Sequence, residues 1–475
     1  MEASVPRRTR NHVGVSAVLF LSLFSSQAAL IATTPVLAQI ARDLDVPTAL
    51  AGQLRTITGL AAGVTALLLP RIAGRVGLGR QLLGASLLVA AGSLASAAAP
   101  SFAVLALAQV PVGVGVATFM TASTIAAAAW APPQLKTRVL SWALLGQPAA
   151  WIVGMPTIGL VGEQSWRYAW LAMPLAGSVL AGAAVVRRVS ERPQPVRPAR
   201  LAVVLSDRDL ARWLLAELLA NTAWAGTIVF AGALFVESYG ASPRLTGLAL
   251  AVAAGAYVAG NRVAERRAWN RTRSALVLLP LGLAASDALF GAWRPSIPVS
   301  TMLLSAAAFA AGARTLVSSA HGLAAREELR PALMGSRAAT MQFGYFGGSL
   351  GGGTALAVGG YAVFGAAMGF LFLAAAVTLA VGARSAEKRE QRSGSVVAST
   401  RGGVPTARTP GGARRRLAVA PRGGQAEGVA GDPPPERQPG GRARPNRRRP
   451  LGRERAGVCG QDGADLRLAA AQDAA

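Results

Sequence analysis

Cysteine, histidine, lysine and charge in general are scarce in this chain. One cysteine, Cys459, stands among 475 residues, which excludes a disulfide framework and a cysteine-built metal site. With two histidines, His12 and His321, no metal-ligand cluster can be assembled. There is no Walker A sequence and no nucleophile–base motif. Direct ATP drive is therefore unsupported, an enzyme is not expected, and no cofactor is implied. Charged residues make up 15% of the chain, against about 25% in a soluble domain.

What is present is apolar. Hydrophobic residues reach 52%, and the mean hydropathy is +0.40. This is the composition of a membrane protein. The formal net charge of +26 is almost entirely arginine, the two lysines being Lys136 and Lys388. In a soluble chain such a balance would point to nucleic acid. Here the arginines fall in short gaps between apolar runs, as topology-setting charges do, so no nucleic-acid partner is expected.

Runs of about 20 apolar residues, the length needed to cross a bilayer, occur near 13–38, 48–69, 80–99, 101–125, 138–161, 166–187, 210–236, 244–261, 274–292, 296–319, 333–358 and 360–383. The first follows Arg7-Arg8-Thr9-Arg10 without a clear cleavage site, so it reads as a retained helix. The twelve runs divide into an N-terminal bundle, 1–187, and a C-terminal bundle, 210–384, around a polar linker, 188–209. Ser206-Asp207-Arg208-Asp209 resembles a capping box opening the seventh helix. From 385 to 475 the chain is rich in Gly, Pro and Arg without apolar period, the signature of a disordered basic tail.

The basic residues alternate by loop. Arg71, Arg75 and Arg80, then Lys136 and Arg138, the linker, Arg262, Arg266, Arg267, Arg271 and Arg273, and finally Arg326 and Arg330 all fall on one side. The other side holds Arg42, Arg167, Arg244 and Arg294. Positive charge stays inside. Both termini are accordingly expected in the cytoplasm, with the protein spanning the plasma membrane many times.

Twelve helices in two sixes, with a basic loop after the second, resemble the major facilitator superfamily. The loop's Arg75-Val76-Gly77 matches the Arg-x-Gly core of that family's signature, with Arg80 close by; Gly74 stands where the family carries an Asp. A loose echo, GNRVAERRAW, lies at 260–269, as an internal repeat requires. TPVLAQIARDLDVPTALAGQL at 34–54 is similar to the first outer loop of the drug–proton antiporter and arabinose-type exporter branch. GMPTIGLVGEQSWRYAWL at 154–171 resembles the fifth-helix Gly/Pro motif of that branch. Gly146, Pro148, Gly154, Pro156 and Gly159 leave this helix thin and bendable. Gln109, before Gly113 and Gly115, replaces an arginine of the branch and removes one element of its usual proton coupling. The resemblance implies an all-α membrane protein with 12 transmembrane helices in two pseudo-symmetric six-helix bundles, the major facilitator fold.

Charges within the spans are costly and mark function by default. The acids are Glu217 and Asp287; the bases are Arg55, Arg314 and Arg337. The resemblance places helices one, four, seven and ten around a central cavity, which favours Glu217 and Arg314. Both lie at similar depth, so they read equally as a pair, direct or through water, or as two side chains snorkelling to the inner interface. A proton on Glu217 would then release Arg314 to an anionic or polar group of the solute. Arg55 reads equally as a gate residue or a snorkelling charge. Asp287 is expected to reach headgroups and Arg337 to snorkel. Gln109, Gln147, Asn221, Trp224 and Gln342 are weaker pathway candidates, each more readily a packing group, and His321 reads as an interfacial residue. Gly59 with Gly63, and Gly344 with Gly348 and Gly352, form small-residue packing faces.

The function expected from this reading is a secondary active transporter, effluxing a small organic solute or drug by proton antiport with alternating access. The alternatives are a sugar or metabolite exporter or facilitator without tight proton coupling and, in another class, a non-transporting receptor or partner subunit. The expected partners are the lipid bilayer, a small-molecule substrate and protons, with the chain acting as a monomer.

Overall fold

In hydrocarbon an unpaired backbone N–H or C=O costs several kcal/mol, so apolar spans close their hydrogen bonds within one segment as helices. The computed structural model describes residues 7–73, 76–188, 205–269, 273–324 and 329–401, and among these residues there is no strand. The spanning helices of the first half are α1 (Arg7–Ile31), α2 (Leu54–Ala73), α3 (Leu78–Ala97), α4 (Phe102–Trp130), α5 (Arg138–Gly162) and α6 (Trp166–Arg187). Those of the second half are α7 (Arg208–Tyr239), α8 (Pro243–Arg266), α9 (Arg273–Ala292) and α10 (Ile297–Leu323), followed by a helical stretch Arg330–Arg401. That stretch contains a candidate span of 48 residues, Gly335–Gly382, roughly 72 Å at 1.5 Å per residue. This is more than twice the hydrocarbon thickness of about 30 Å. The stretch is broken at Gly359 and Gly360, the latter at φ +62° and ψ −160°, a region open essentially to glycine alone. The break yields α11 (330–358) and α12 (361–401), twelve spans in all.

Polar side chains start several helices. Ser101 accepts from the Val104 N–H, Ser165 from Arg167 and Ser242 from Leu245, with Pro243 at the first turn of α8. At α7 the cap is Asp207 rather than the expected Ser206: its Oδ1 accepts from Asp209 N at 3.0 Å and Leu210 N at 3.3 Å. Within α6, Pro174 removes a donor, and the turn Leu171–Leu175 widens to a π-helix. α12 continues to Arg401, beyond the expected end at 384. Residues 402–475 and 189–204, the bulk of the expected tail and linker, lie outside the described residues.

The internal repeat is visible in the packing. In the first half α1 packs on α5, α2 on α4, and α3 on α4 and α6; in the second α7 packs on α11, α8 on α10, and α9 on α10 and α12. Adding six to each number of the first set gives the second. The pairs joining the halves, α5 with α8 and α2 with α11, obey the same rule. Large apolar side chains such as Leu107, Met302 and Phe370 point out of the bundle, as a lipid-facing surface requires.

Small residues set the close approaches. A Cβ added to Gly344 would stand 2.8 Å from Asn221 of α7, and one on Gly348 2.6 Å from the Gly226 N. Between the halves, a Cβ on Gly159 or on Gly247 would lie 3.2 Å from the other's Cα. A Cβ on Gly59 would stand 2.6 Å from the Phe346 N, and one on Gly63 3.0 Å from the Phe343 ring. Gln53 Nε2 donates to Ser349 O at 3.0 Å across the same seam.

We call the face where α6 ends and α7 begins the linker face, and the opposite one the far face. These inter-half contacts gather toward the far face. There Thr48 donates to Glu237 Oε1, and Tyr361 donates to Glu237 Oε2 at 2.8 Å. The same face carries Trp166-Arg167. Trp166 Nε1 donates to Asp43 Oδ2 at 2.8 Å, and Arg167 lies 3.7 Å from that carboxylate. Arg167 also donates to the carbonyls of Ala97 and Ala99, closing the end of α3.

Candidate functional site: a buried carboxylate between two guanidiniums

Glu217 and Arg314 are set at one depth by opposed helices. Glu217 lies nine residues past the start of α7 and Arg314 nine before the end of α10, each about 14 Å from the linker face at 1.5 Å per residue. Both are buried, and Arg314 Nη2 donates to Glu217 Oε1, so of the two readings the structure holds the pair.

Arg337 corrects the sequence reading. It does not snorkel. α11 begins at Arg330, so Arg337 sits two turns inside, and its Nε donates to Glu217 Oε2 at 2.9 Å. Its Nη2 reaches Thr315 O at 3.4 Å. Around this triad Tyr257 of α8 donates to Thr315 Oγ1 at 2.8 Å and stacks on Trp224, ring centroids 6.2 Å apart. Asn221 Nδ2 donates to Thr340 Oγ1 at 3.2 Å. Trp213 Nε1 donates to Ser318 Oγ at 3.1 Å, and its ring leans on His321. Tyr257, Thr315 and Trp213 carried no sequence signal beyond being polar or aromatic within a span.

Asp287 is a second correction. It is 1% exposed, not turned to headgroups, and accepts from Thr227 Oγ1 of α7 at 2.6 Å. Its Oδ1 has no partner among the described residues. Arg55 sits at the seam between the halves, buried, with its guanidinium 4.6 Å from the centroid of the Tyr345 ring of α11. The cation lies on an aromatic face rather than in water.

The uncharged candidates divide. Gln109 is held within the first half: it accepts from Thr58 Oγ1 at 3.2 Å and donates to Ser96 Oγ at 3.0 Å. Gln342 donates to Met120 Sδ of α4 at 3.1 Å, across the halves. Gln147 is half-buried on α5, beside Pro148. In the same helix Gly146 and Gly154 lie against α1, at Phe24 and Ile31, while Gly159 faces α8 and Pro156 lies within the helix. Of the loop motif, Gly77 precedes α3 and Arg80 is exposed, whereas Gly74 and Arg75 lie outside the described residues. Among the described residues no group of His, Cys, Asp and Glu is placed to hold a metal.

A sequence profile of the Major Facilitator Superfamily matches residues 19–285. The chain belongs to the Major Facilitator Superfamily. It is therefore a multi-pass membrane transporter and not an enzyme. The matched residues include Glu217 and end before Arg314 and Arg337. The fold is shared with solved transporters at low identity. A bacterial homologue of the human lysosomal transporter Spinster, inward-facing and occupied, is 15% identical over 80% of this chain and 96% of its own, with a TM-score of 0.60. The nucleoside transporter NupG is 12% identical over 78% and 98%, with a TM-score of 0.63. A D-xylose–proton symporter is 15% identical over 78% and 96%, with a TM-score of 0.60. No curated protein matches the chain in sequence.

Proposed function

We propose that this transporter exports a small organic solute from the cytoplasm across the plasma membrane in exchange for protons, by alternating access. The observation that carries the reading is Glu217, a buried carboxylate shared by Arg314 and Arg337. A proton on Glu217 would cancel its charge and free both guanidiniums, so protonation and solute binding would be linked through one network. The exposed Arg80, Lys136, Arg138, Arg262 and Arg266 support a cytoplasmic linker face. In that orientation the inter-half contacts near the far face lie on the outer side.

A second reading, a metabolite carrier without tight proton coupling, is supported by the uncharged Gln109, which is occupied in helix packing. Proteoliposomes separate the two. With the full chain reconstituted, an imposed pH gradient is expected to accelerate solute movement, and Glu217→Gln is expected to abolish the acceleration. Gradient-driven transport at the unaltered rate in Glu217→Gln would remove Glu217 as the coupling group.

A further inference from the structure

The buried charges near Glu217 do not balance. One carboxylate faces two guanidiniums, a surplus of one positive charge. The other intramembrane acid cannot supply the difference. Asp287 is bonded to Thr227, ten residues along α7 from Glu217 and therefore about 15 Å away along the axis. Arg55, the other intramembrane cation, has an aromatic ring beside it and, among the described residues, no acid within ion-pair distance.

A guanidinium offers five N–H donors. Glu217 takes one from each arginine, and Thr315 O takes one more from Arg337. The remaining donors have no protein acceptor among the described residues. The Arg337 side chain keeps 19% of its surface open, against 4% for Glu217, so the surplus charge is presented outward while the carboxylate is sealed behind it. Beside it stand the stacked Trp224 and Tyr257 rings, and Tyr257 is tied through its hydroxyl to the same Thr315 that holds Arg337. Planar guanidiniums with free forked donors match carboxylate and phosphate oxygens, and an aromatic pair suits an apolar body.

Resting on the reading of this site as the transport site, we propose that the solute is an organic anion, whose carboxylate or phosphate group seats on Arg337 and Arg314 with its apolar part against Trp224 and Tyr257. Neutral and cationic solutes leave the surplus charge unmet and are rejected.

Iodide tests the anion site without knowledge of the natural solute. Trp224 fluorescence is isolated by subtracting the signal of Trp224→Phe in the full-length protein, and quenching is followed with iodide, caesium and neutral acrylamide. Iodide quenching of this component is expected to saturate, while the other two stay linear. Arg337→Gln is expected to make iodide linear as well. Glu217→Gln, which raises the surplus from one charge to two, is expected to lower the half-saturating iodide on the order of tenfold. Linear iodide quenching in the unaltered protein, or saturation unchanged in Arg337→Gln, overturns the proposal.

A second arm measures uptake of benzoate, phenyl phosphate, benzamide and benzylamine into proteoliposomes. Movement of benzoate or phenyl phosphate supports the proposal. Movement of benzamide or benzylamine alone overturns it and leaves the transporter reading intact. Saturable iodide binding without movement of any probe keeps the anion site and counts against the transport reading.

Discussion

At the scale of single residues, helical phase was more informative than distance from a helix end. Asp287 lies five residues before the end of α9, which suggested headgroups. Of its neighbours at three and four positions, Leu283, Phe290 and Gly291 are buried and Ala284 is half-buried, so the face it shares turns inward. Arg337 differs for another reason: the apolar run begins only at 333, whereas α11 begins at Arg330 and carries the residue deeper. Glu217 and Arg314 were legible because α7 and α10 have well-marked ends. Nothing in one sequence specifies that a third helix delivers a second arginine to the same carboxylate. The Asp287 environment makes its own prediction. Asp287→Ala strands the Thr227 hydroxyl contact and opens a hole, and is expected to cost about 1–3 kcal/mol. Asp287→Asn keeps an acceptor at the same place and is expected to cost less. Thermal unfolding of the two variants in detergent checks the order, and equal midpoints would contradict it.

At the scale of elements, two glycine features govern how helices meet and end. The α5–α8 crossing brings Gly159 and Gly247 together backbone to backbone. Gly159→Leu would force these helices apart at the far face, and is expected to shift the population toward the state open there. Spin labels on the exposed Arg244 and Glu163 positions, exchanged for cysteine after Cys459→Ser, should report a longer mean distance; an unchanged distribution would refute the effect. At the α11–α12 break, Gly360→Ala places a Cβ in a conformation L residues avoid, and is expected to cost about 1–3 kcal/mol, measurable as a lowered melting temperature. The glycine pattern of α5 was readable as a close-packing surface. Which of its glycines faced the other half was not, because the partner glycine on α8 has no counterpart in local pattern.

At the scale of the whole molecule, the twelve spans and their division were legible from apolar run length and arginine placement. The pairing of helices was not, because hydropathy carries no information about which apolar faces meet. Sidedness has a reporter already in the chain. Cys459 is its single cysteine. A membrane-impermeant maleimide is expected to label it in inverted vesicles and not in intact cells, the result required by a cytoplasmic C-terminus. Labelling in intact cells would reverse the assigned orientation and, with it, the export direction.

Glu217, Arg314 and Arg337 all belong to the second six-helix half. On the proposed reading of this site, the grip on charge travels with the second half when the halves rock, and the first half passes over a cargo already held. This is a division of labour open to divergence. Substitutions in α1, α2, α4 and α5 can reshape the opposite wall, and with it the size and outline of the cargo, without disturbing the charge grip. Lineages descending from one such protein would keep the ionic preference of their ancestor while drifting apart in the carbon skeletons they carry.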